Sequence, residues 1–152
     1  MKLSLIVLTA TAVLAGCATP YKAPQGGETA TLIIQAPADE MFGLGQNMSL
    51  VSGEQCTNPQ VLAGFHPLSS ESLVRQAVPA GSRIYIKAGL TNSRAYPRMR
   101  FCTNLASFVP VVGASYTLKQ LFVGESCLMQ LVQQTDQRPP PSFLPHPAKP
   151  CV

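Results

Sequence analysis

The sequence has few of the residues that enzyme and metal sites usually need. It contains only two histidines in 152 residues, His66 and His146, and both stand next to a proline. No two cysteines have the C-x-x-C spacing of zinc and redox sites. The chain also lacks the H-E-x-x-H, P-loop and G-x-S-x-G motifs. The sequence therefore predicts no metal, no cofactor and no identifiable catalytic residue.

The N-terminus carries an apolar run that is too short to span a membrane. The run extends from Leu3 to Val13 after a basic Met1-Lys2 start and gives out at Thr19-Pro20. A spanning helix needs roughly 20 apolar residues. A basic start, a short apolar run and a small-residue cleavage site are typical of a secretory signal peptide, predicted here as a helix over residues 1–16.

The signal ends in Leu14-Ala15-Gly16-Cys17, which resembles the lipobox of bacterial lipoproteins. The resemblance implies that Cys17 is lipidated and becomes the mature N-terminus. A plain secretory signal is the alternative, but it does not need a cysteine at this point. Two or three acyl chains make a durable membrane anchor, whereas one chain binds only weakly. Ala18 follows the cysteine, and by the same resemblance this favours the periplasmic face of the outer membrane.

Removal of residues 1–16 leaves 136 residues, a length that fits one domain. Residues 17–28 are polar and rich in proline and glycine, and they predict a lipidated, flexible tether. The domain itself is predicted over residues 29–136. Residues 137–152 contain many prolines, which lack the N–H that a central strand donates. This tail is therefore predicted to be extended along the surface, with its end fastened by Cys151.

Besides Cys17, four cysteines remain, and in an exported domain an even number predicts two disulfides. Three pairings are possible, and we predict Cys102–Cys127 and Cys56–Cys151. In a simple three-strand meander, Cys102 and Cys127 would flank the middle strand at about 10 Å, too far apart to bond. The first pairing therefore requires Cys102 to leave that sheet, either through a bulge or by a crossing to the opposite sheet.

Short apolar or alternating segments separated by glycine and proline predict an all-β fold. We expect an antiparallel β-sandwich of about seven strands, with a small β-barrel as the alternative. Gly124-Glu125 predicts a hairpin that places Phe122 opposite Cys127 and Leu118 opposite Leu131. The strongest strand candidates are Thr29–Gln35, Gln60–Phe65, Leu73–Val78, Arg83–Ala88, Arg98–Phe101, Ser115–Val123 and Cys127–Gln134.

The segment between Cys102 and Cys127 resembles the C-terminal half of small, mostly uncharacterised lipoproteins of Gram-negative bacteria. The resemblance implies no activity. The same residues also have a purely structural interpretation, as core aromatics, loop-shaping residues and disulfides. The pattern consists of Cys102, Phe108, Pro110, Gly113, Tyr116 and Cys127.

Basic residues are unevenly distributed, since the seven between Ser72 and Gly124 have no acidic residue among them. Strand alternation puts Arg83 and Lys87 on one face, opposite Ile84 and Ile86. It likewise puts Arg98 and Arg100 opposite Met99 and Phe101, which are expected to face the core. If the two strands are neighbours, Arg83, Lys87, Arg98 and Arg100 form one exposed patch for anionic lipid, lipopolysaccharide or an acidic envelope protein. The alternative is that these charges only protect exposed strands from edge pairing.

Three classes of function remain open. The favoured expectation is a non-enzymatic envelope lipoprotein with a structural or interaction role. A periplasmic binding module for a small or anionic ligand and an enzyme with an unrecognised site are the alternatives. The expected partners are the membrane, through the lipid anchor, and other envelope components; nucleic acid is not among them.

Overall fold

The computed structural model describes residues 18–36, 44–66, 72–92, 99–124, 126–148 and 151. The predicted signal helix, the lipidation residue Cys17 and the patch residue Arg98 lie outside these ranges. Within them, no helix has the length and apolar character that crossing a membrane requires.

The described part of the chain is almost entirely strand, as the glycine and proline punctuation predicts. β-branched and apolar residues alternate with polar ones in most of these segments, which suits a pleated surface that is buried on one side. In chain order the strands are β1 (Thr19–Pro20), β2 (Thr29–Gln35), β3 (Leu44–Ser52), β4 (Thr57–Phe65), β5 (Leu73–Pro79), β6 (Ile84–Asn92), β7 (Arg100–Phe108), β8 (Ser115–Val123), β9 (Ser126–Gln133) and β10 (Leu144–His146).

The strands form two sheets, which confirms the β-sandwich. The larger sheet has the order β1-β4-β3-β6-β7-β10, and the smaller has the order β5-β2-β8-β9. Each sheet keeps two edge strands among the described residues, so the barrel alternative does not hold. The expectation of a purely antiparallel fold is wrong, because β1 runs parallel to β4 and β2 runs parallel to β8. Strands β2 and β8 enter their sheet from the same end, where the Gly113 N–H donates to the Thr29 carbonyl at 2.8 Å.

The two ends of the sandwich are distinguished by the strands that begin at each. We call the near end the one at which β4, β6 and β8 begin, and the far end the one at which β7 begins and the β8–β9 hairpin turns. The β5–β6 and β7–β8 connections are short and pass from one sheet to the other at the near end. There the Gly81 N–H of the first donates to the Pro110 carbonyl of the second at 2.9 Å, which fixes how the sheets align. The near end thus carries the β7–β8 loop, and the far end carries the first residues of β7.

The core lies between the sheets and follows the predicted alternation of β6. Ile84, Ile86 and Ala88 are buried there, while Tyr85 and Lys87 lie on the outer side. The rings of Phe108 and Tyr116 meet edge to face with centroids 5.0 Å apart, a favourable geometry for two aromatic quadrupoles. The remaining fully buried large residues include Leu32, Ile34, Met48, Leu90, Leu118 and Leu131.

The β8–β9 hairpin has the predicted register. Phe122 is paired with Cys127 and Leu118 with Leu131, and Gly124 in the turn has φ = 59°. A positive φ is the reason a glycine suits this turn position. The register sets Cys127 on the face of the hairpin that points toward the larger sheet.

The two predicted cysteine pairings are the ones that the structure brings together. Cys102 and Cys127 have their Cα atoms 5.9 Å apart, and those of Cys56 and Cys151 are 5.3 Å apart, both within the range of disulfides. Cys102 lies in β7 of the larger sheet and Cys127 in β9 of the smaller one. The bond therefore crosses between the sheets, as the distance argument required.

Two local predictions are wrong in detail. The strand predicted over Gln60–Phe65 begins three residues earlier, at Thr57, directly after a turn over residues 53–56. Met99 and Phe101 were expected to face the core, but they are 55% and 70% exposed. The β6–β7 register pairs Leu90 with Cys102, so the even-numbered residues of β7 face inward.

Candidate functional site

The C-terminal tail covers the outer face of the larger sheet beside β6 and β7. Strand β10 pairs with β7 at the sheet edge, which agrees with the prediction of an extended surface tail that avoids a central position. Beyond β10, Cys151 is buried and packs with Val51 and Leu105 in a small second apolar cluster. The tail is thus fixed by a strand pairing, a disulfide and apolar packing.

Two residues of the predicted basic patch are engaged by this tail. Arg83 Nη1 donates to Ser107 Oγ at 2.8 Å and to the Ser142 carbonyl at 3.2 Å. Lys87 Nζ donates to the Cys151 carbonyl. Hydrogen bonds from charged donors are stronger than neutral ones, so both cations help to hold the tail against the sheet.

Arg100 lies on the other side of the larger sheet, so the prediction of one exposed four-residue patch is wrong. The register pairs Arg100 with Asn92, two residues beyond the inward-facing Leu90–Cys102 pair. Arg100 Nη2 donates to the Gly124 carbonyl at 2.5 Å, and Cζ lies 5.4 Å from the centroid of the Phe122 ring. Arg100 therefore reaches across the far end to the β8–β9 hairpin, where it makes a cation–π contact.

Where the tail meets β7, a serine, a histidine of the tail and a carboxylate lie in a chain of close contacts. Ser107 Oγ is 2.7 Å from His146 Nε2, and His146 Nδ1 is 3.4 Å from Glu54 Oε1. The ring of Tyr85 flanks His146 at 5.6 Å between centroids. With the ring proton on Nδ1, His146 Nε2 accepts from the Ser107 hydroxyl, whose oxygen accepts from Arg83.

The serine, the histidine and the carboxylate follow one another as in a nucleophilic triad, but the serine is not accessible to a substrate. Ser107 has 0% of its surface exposed, and its Oγ is already an acceptor for Arg83. A nucleophile must reach the carbon of its substrate, and here β10 and the Arg83 guanidinium occupy the approach. The cluster therefore serves to fasten His146, and with it β10, to β7 and to the β3–β4 turn that carries Glu54.

The sequence signal for this cluster is weak. Ser107 and His146 are 39 residues apart, and no motif relates them. The one local hint is the strand alternation. Ser107 is two residues after the outward-facing Leu105 in β7, and Arg83 is two residues before the outward-facing Tyr85 in β6, so both lie on the outer side of neighbouring strands. The partner that joins them, His146, comes from the proline-rich tail, which sequence patterning treats only as a loop.

Polar side chains also lie between the sheets, toward the far half of the core. Gln120 is buried, and its Nε2 donates to the Ala88 carbonyl at 3.1 Å and to Asn104 Oδ1 at 2.9 Å. Asn104 in turn donates to the Cys127 carbonyl at 3.2 Å, which ties the amide network to the inter-sheet disulfide. Buried Gln46 has no hydrogen-bond partner for its side-chain amide among the described residues.

The residues that follow Cys17 are held against the domain, contrary to the prediction of a tether that is flexible from its first residue. Thr19 and Pro20 pair with Gln60 and Val61 of β4. The next residue, Tyr21, packs on the core, and its hydroxyl donates to the Ala77 carbonyl at 2.8 Å. Burial raises the pKa of the Tyr21 hydroxyl, which keeps it protonated as a donor.

Large apolar side chains are exposed at both ends of the sandwich. At the far end these include Leu73, Met99, Phe101 and Val123, and at the near end they include Val111 and Val112 in the β7–β8 loop. Among the residues described, no group of three histidine, cysteine or acidic side chains is arranged to hold a metal ion.

No protein-family model matches this chain, and no curated protein matches it either.

Proposed function

We propose that this protein is a lipid-anchored component of a Gram-negative cell envelope. Acyl chains on Cys17 hold it at the periplasmic face of the outer membrane, and its role is a non-enzymatic structural or interaction role. The observation that carries the proposal is Leu14-Ala15-Gly16-Cys17, which ends two residues before Thr19, where the first described strand begins. All the described strands lie after Cys17, so cleavage before Cys17 removes none of them.

The cysteine pairs support export. Two buried or half-buried pairs at disulfide distance suit a protein that folds in an oxidising compartment such as the periplasm. In the cytoplasm the same pairs would stay reduced, and the tail would lose its covalent attachment.

A Cys17→Ser variant tests the anchor. We expect the wild-type protein to sediment with membranes and to yield an N-terminal peptide that starts at an acylated Cys17. The variant should accumulate unprocessed or leave the membrane fraction, because the acceptor for the acyl chains is gone. Cell fractionation with mass spectrometry of the N-terminal peptide gives both readouts. A variant that is cleaved normally and stays membrane-bound would contradict the proposal.

An interaction role is supported by the far end of the sandwich. Phe101 is the most exposed of the large apolar residues, and Met99 and Val123 lie at the same end. Strand β10 pairs only with residues 105–107 of β7, so the first part of β7 has no neighbour on that side among the described strands. An open strand edge beside an exposed aromatic residue is suited to strand addition by a partner protein.

Site-specific photo-crosslinking in living cells tests this role. A photoreactive phenylalanine analogue at Phe101 should give a discrete crosslinked species with an envelope protein. The same analogue at Gln130, which is exposed on the outer face of the smaller sheet, serves as the matched control. Identical crosslinking at the two positions would contradict a partner site at the far end.

A further inference from the structure

The β7–β8 loop presents two valines to solvent at the near end. Val111 is 59% exposed and Val112 is 50% exposed, while the preceding Pro110 is buried. The Ala114 N–H donates to the Val111 carbonyl at 3.1 Å, and Gly113 has φ = 72°. These values describe a β-turn with glycine at the third position, as type II turns require. Turn tips normally carry polar residues, glycine or proline, so a pair of valines here calls for an explanation.

The loop is held firmly in this orientation. The Val111 N–H donates to the hydroxyl of buried Tyr116 at 3.0 Å. On the other side of the turn, the Gly113 N–H donates to the Thr29 carbonyl at 2.8 Å. The valines therefore cannot fold back onto the domain without breaking bonds to β2 and β8 of the smaller sheet, and their exposure is a property of the fold.

The acylated cysteine is tied to the same end. Thr19 pairs with Gln60, three residues into β4, so it lies about 10 Å from the near end along the strand. Strand β1 runs parallel to β4, so the chain before Thr19 leads toward the near end. Cys17 precedes Thr19 by two residues, and covalent geometry keeps their Cα atoms within about 7 Å of each other. The lipid thus leaves the protein close to the near end and with little slack.

Charge does not favour an electrostatic explanation for this end. Among the described residues, Glu28, Glu54 and Asp136 lie there together with Arg83 and Arg138, so these show no excess of positive charge to attract anionic headgroups. An apolar contact is what the exposed side chains offer.

We propose that the Val111–Val112 loop is a second membrane contact, which inserts between the phospholipid headgroups of the leaflet that holds the lipid anchor. The inference rests on the proposed acylation of Cys17, because that bond brings the near end to the bilayer. The loop adds apolar area to the anchor and fixes the orientation of the sandwich, with the near end on the membrane and Phe101 pointing away from it.

The absence of tryptophan from the sequence makes a direct test possible. Val112→Trp and Phe101→Trp each create a single tryptophan at an exposed position, one at each end. Positions 101 and 108 alone are separated by about 23 Å along β7, which is most of the thickness of a bilayer core. The full-length lipidated variants are purified and reconstituted into phosphatidylcholine vesicles, with or without lipids brominated on their acyl chains.

We expect the emission of Val112→Trp to shift to the blue on reconstitution and to lose most of its intensity with brominated lipid. The emission of Phe101→Trp should not change. If the protein binds vesicles but both variants are quenched, or neither is, the inference is overturned while the proposed lipid anchor is not. A Val112→Trp signal shielded from aqueous acrylamide but untouched by brominated lipid would also overturn it, since protein would then cover the loop. Wild-type protein that fails to float with vesicles would overturn the anchor and this inference together.

Discussion

Ser107 has more hydrogen-bond partners than a surface strand residue needs. Its hydroxyl accepts from Arg83 and bonds to His146, although the residue has no exposed surface. Where a partner such as His146 is largely buried, removing Ser107 leaves it without a hydrogen bond, and that penalty exceeds the net value of the bond itself. The cluster is therefore best tested through stability.

Ser107→Ala is expected to lower the free energy of unfolding by about 1–3 kcal/mol, because His146 Nε2, in a side chain only 13% exposed, loses its partner and Arg83 loses one of its two bonds. Urea unfolding of the mature protein measures this. Ser126→Ala, at an exposed position of β9, is the control and should stay within about 0.5 kcal/mol of wild type. A Ser107→Ala protein of unchanged stability that has lost an esterase activity present in wild type would instead identify Ser107 as a nucleophile.

Among the elements, the N-terminal segment joins the two sheets at one side of the sandwich. Strand β1 pairs with β4 of the larger sheet, and the Tyr21 hydroxyl donates to Ala77 in β5 of the smaller one. Because burial raises the pKa of Tyr21 above 10.0, its value in the unfolded chain, the folded protein holds this proton to higher pH. The contribution is complete below pH 10.0 and is lost as the pH rises through the folded-state pKa.

Tyr21→Phe removes both the hydrogen bond and this titration. At neutral pH we expect a loss of about 0.5–1.5 kcal/mol in the free energy of unfolding. Between about pH 9 and pH 11, stability should fall less steeply in the variant than in wild type, since no phenol is left at this position to ionise on unfolding. Denaturant unfolding at a series of pH values measures both effects. Equal slopes in the two proteins would show that Tyr21 is not coupled to folding.

The C-terminal tail is the second element whose attachment can be tested separately. Cys56→Ser/Cys151→Ser removes the bond between residues that are 95 positions apart and should destabilise the protein by about 2–5 kcal/mol. Lys87, which donates to the Cys151 carbonyl, should also become more reactive toward an amine-acylating reagent. Peptide mass spectrometry reports this, with Lys119 on the outer face of the smaller sheet as the unchanged control. Equal Lys87 labelling with and without the disulfide would contradict the role of the tail as a cover.

Across the whole molecule, the sequence predicted the structural features that depend on residues close together in the chain. Hairpin β8–β9 was predictable because Gly124 fixes the turn and the turn fixes the register. The orientation of β7 was not, because Met99 and Phe101 are as apolar as core residues, and only the pairing of β7 with β6 decides which side faces inward. A non-local register of this kind leaves no trace in the periodicity of a single strand.

The candidate site likewise has features that the sequence predicted and others that it did not. The presence of two disulfides followed from an even cysteine count, but the pairing did not, because the distance within one sheet counted against Cys102–Cys127 until the structure placed these residues in opposite sheets. The cluster of Ser107, His146 and Glu54 did not, since its members come from β7, the tail and the β3–β4 turn. The parallel pairing of β2 with β8 was missed for a related reason: both strands look alike whichever direction they run.

The nesting of the two disulfides has a consequence for biogenesis. A chain exported N-terminus first presents Cys56, Cys102, Cys127 and Cys151 to the oxidising compartment in that order, yet the first cysteine is bonded to the last and the middle two to each other. An oxidase that joins cysteines as they emerge would link Cys56 to Cys102 and trap the two sheets out of place. Maturation of this protein on the proposed export route therefore requires either a delay until translocation is complete or a disulfide isomerase that corrects the first bond.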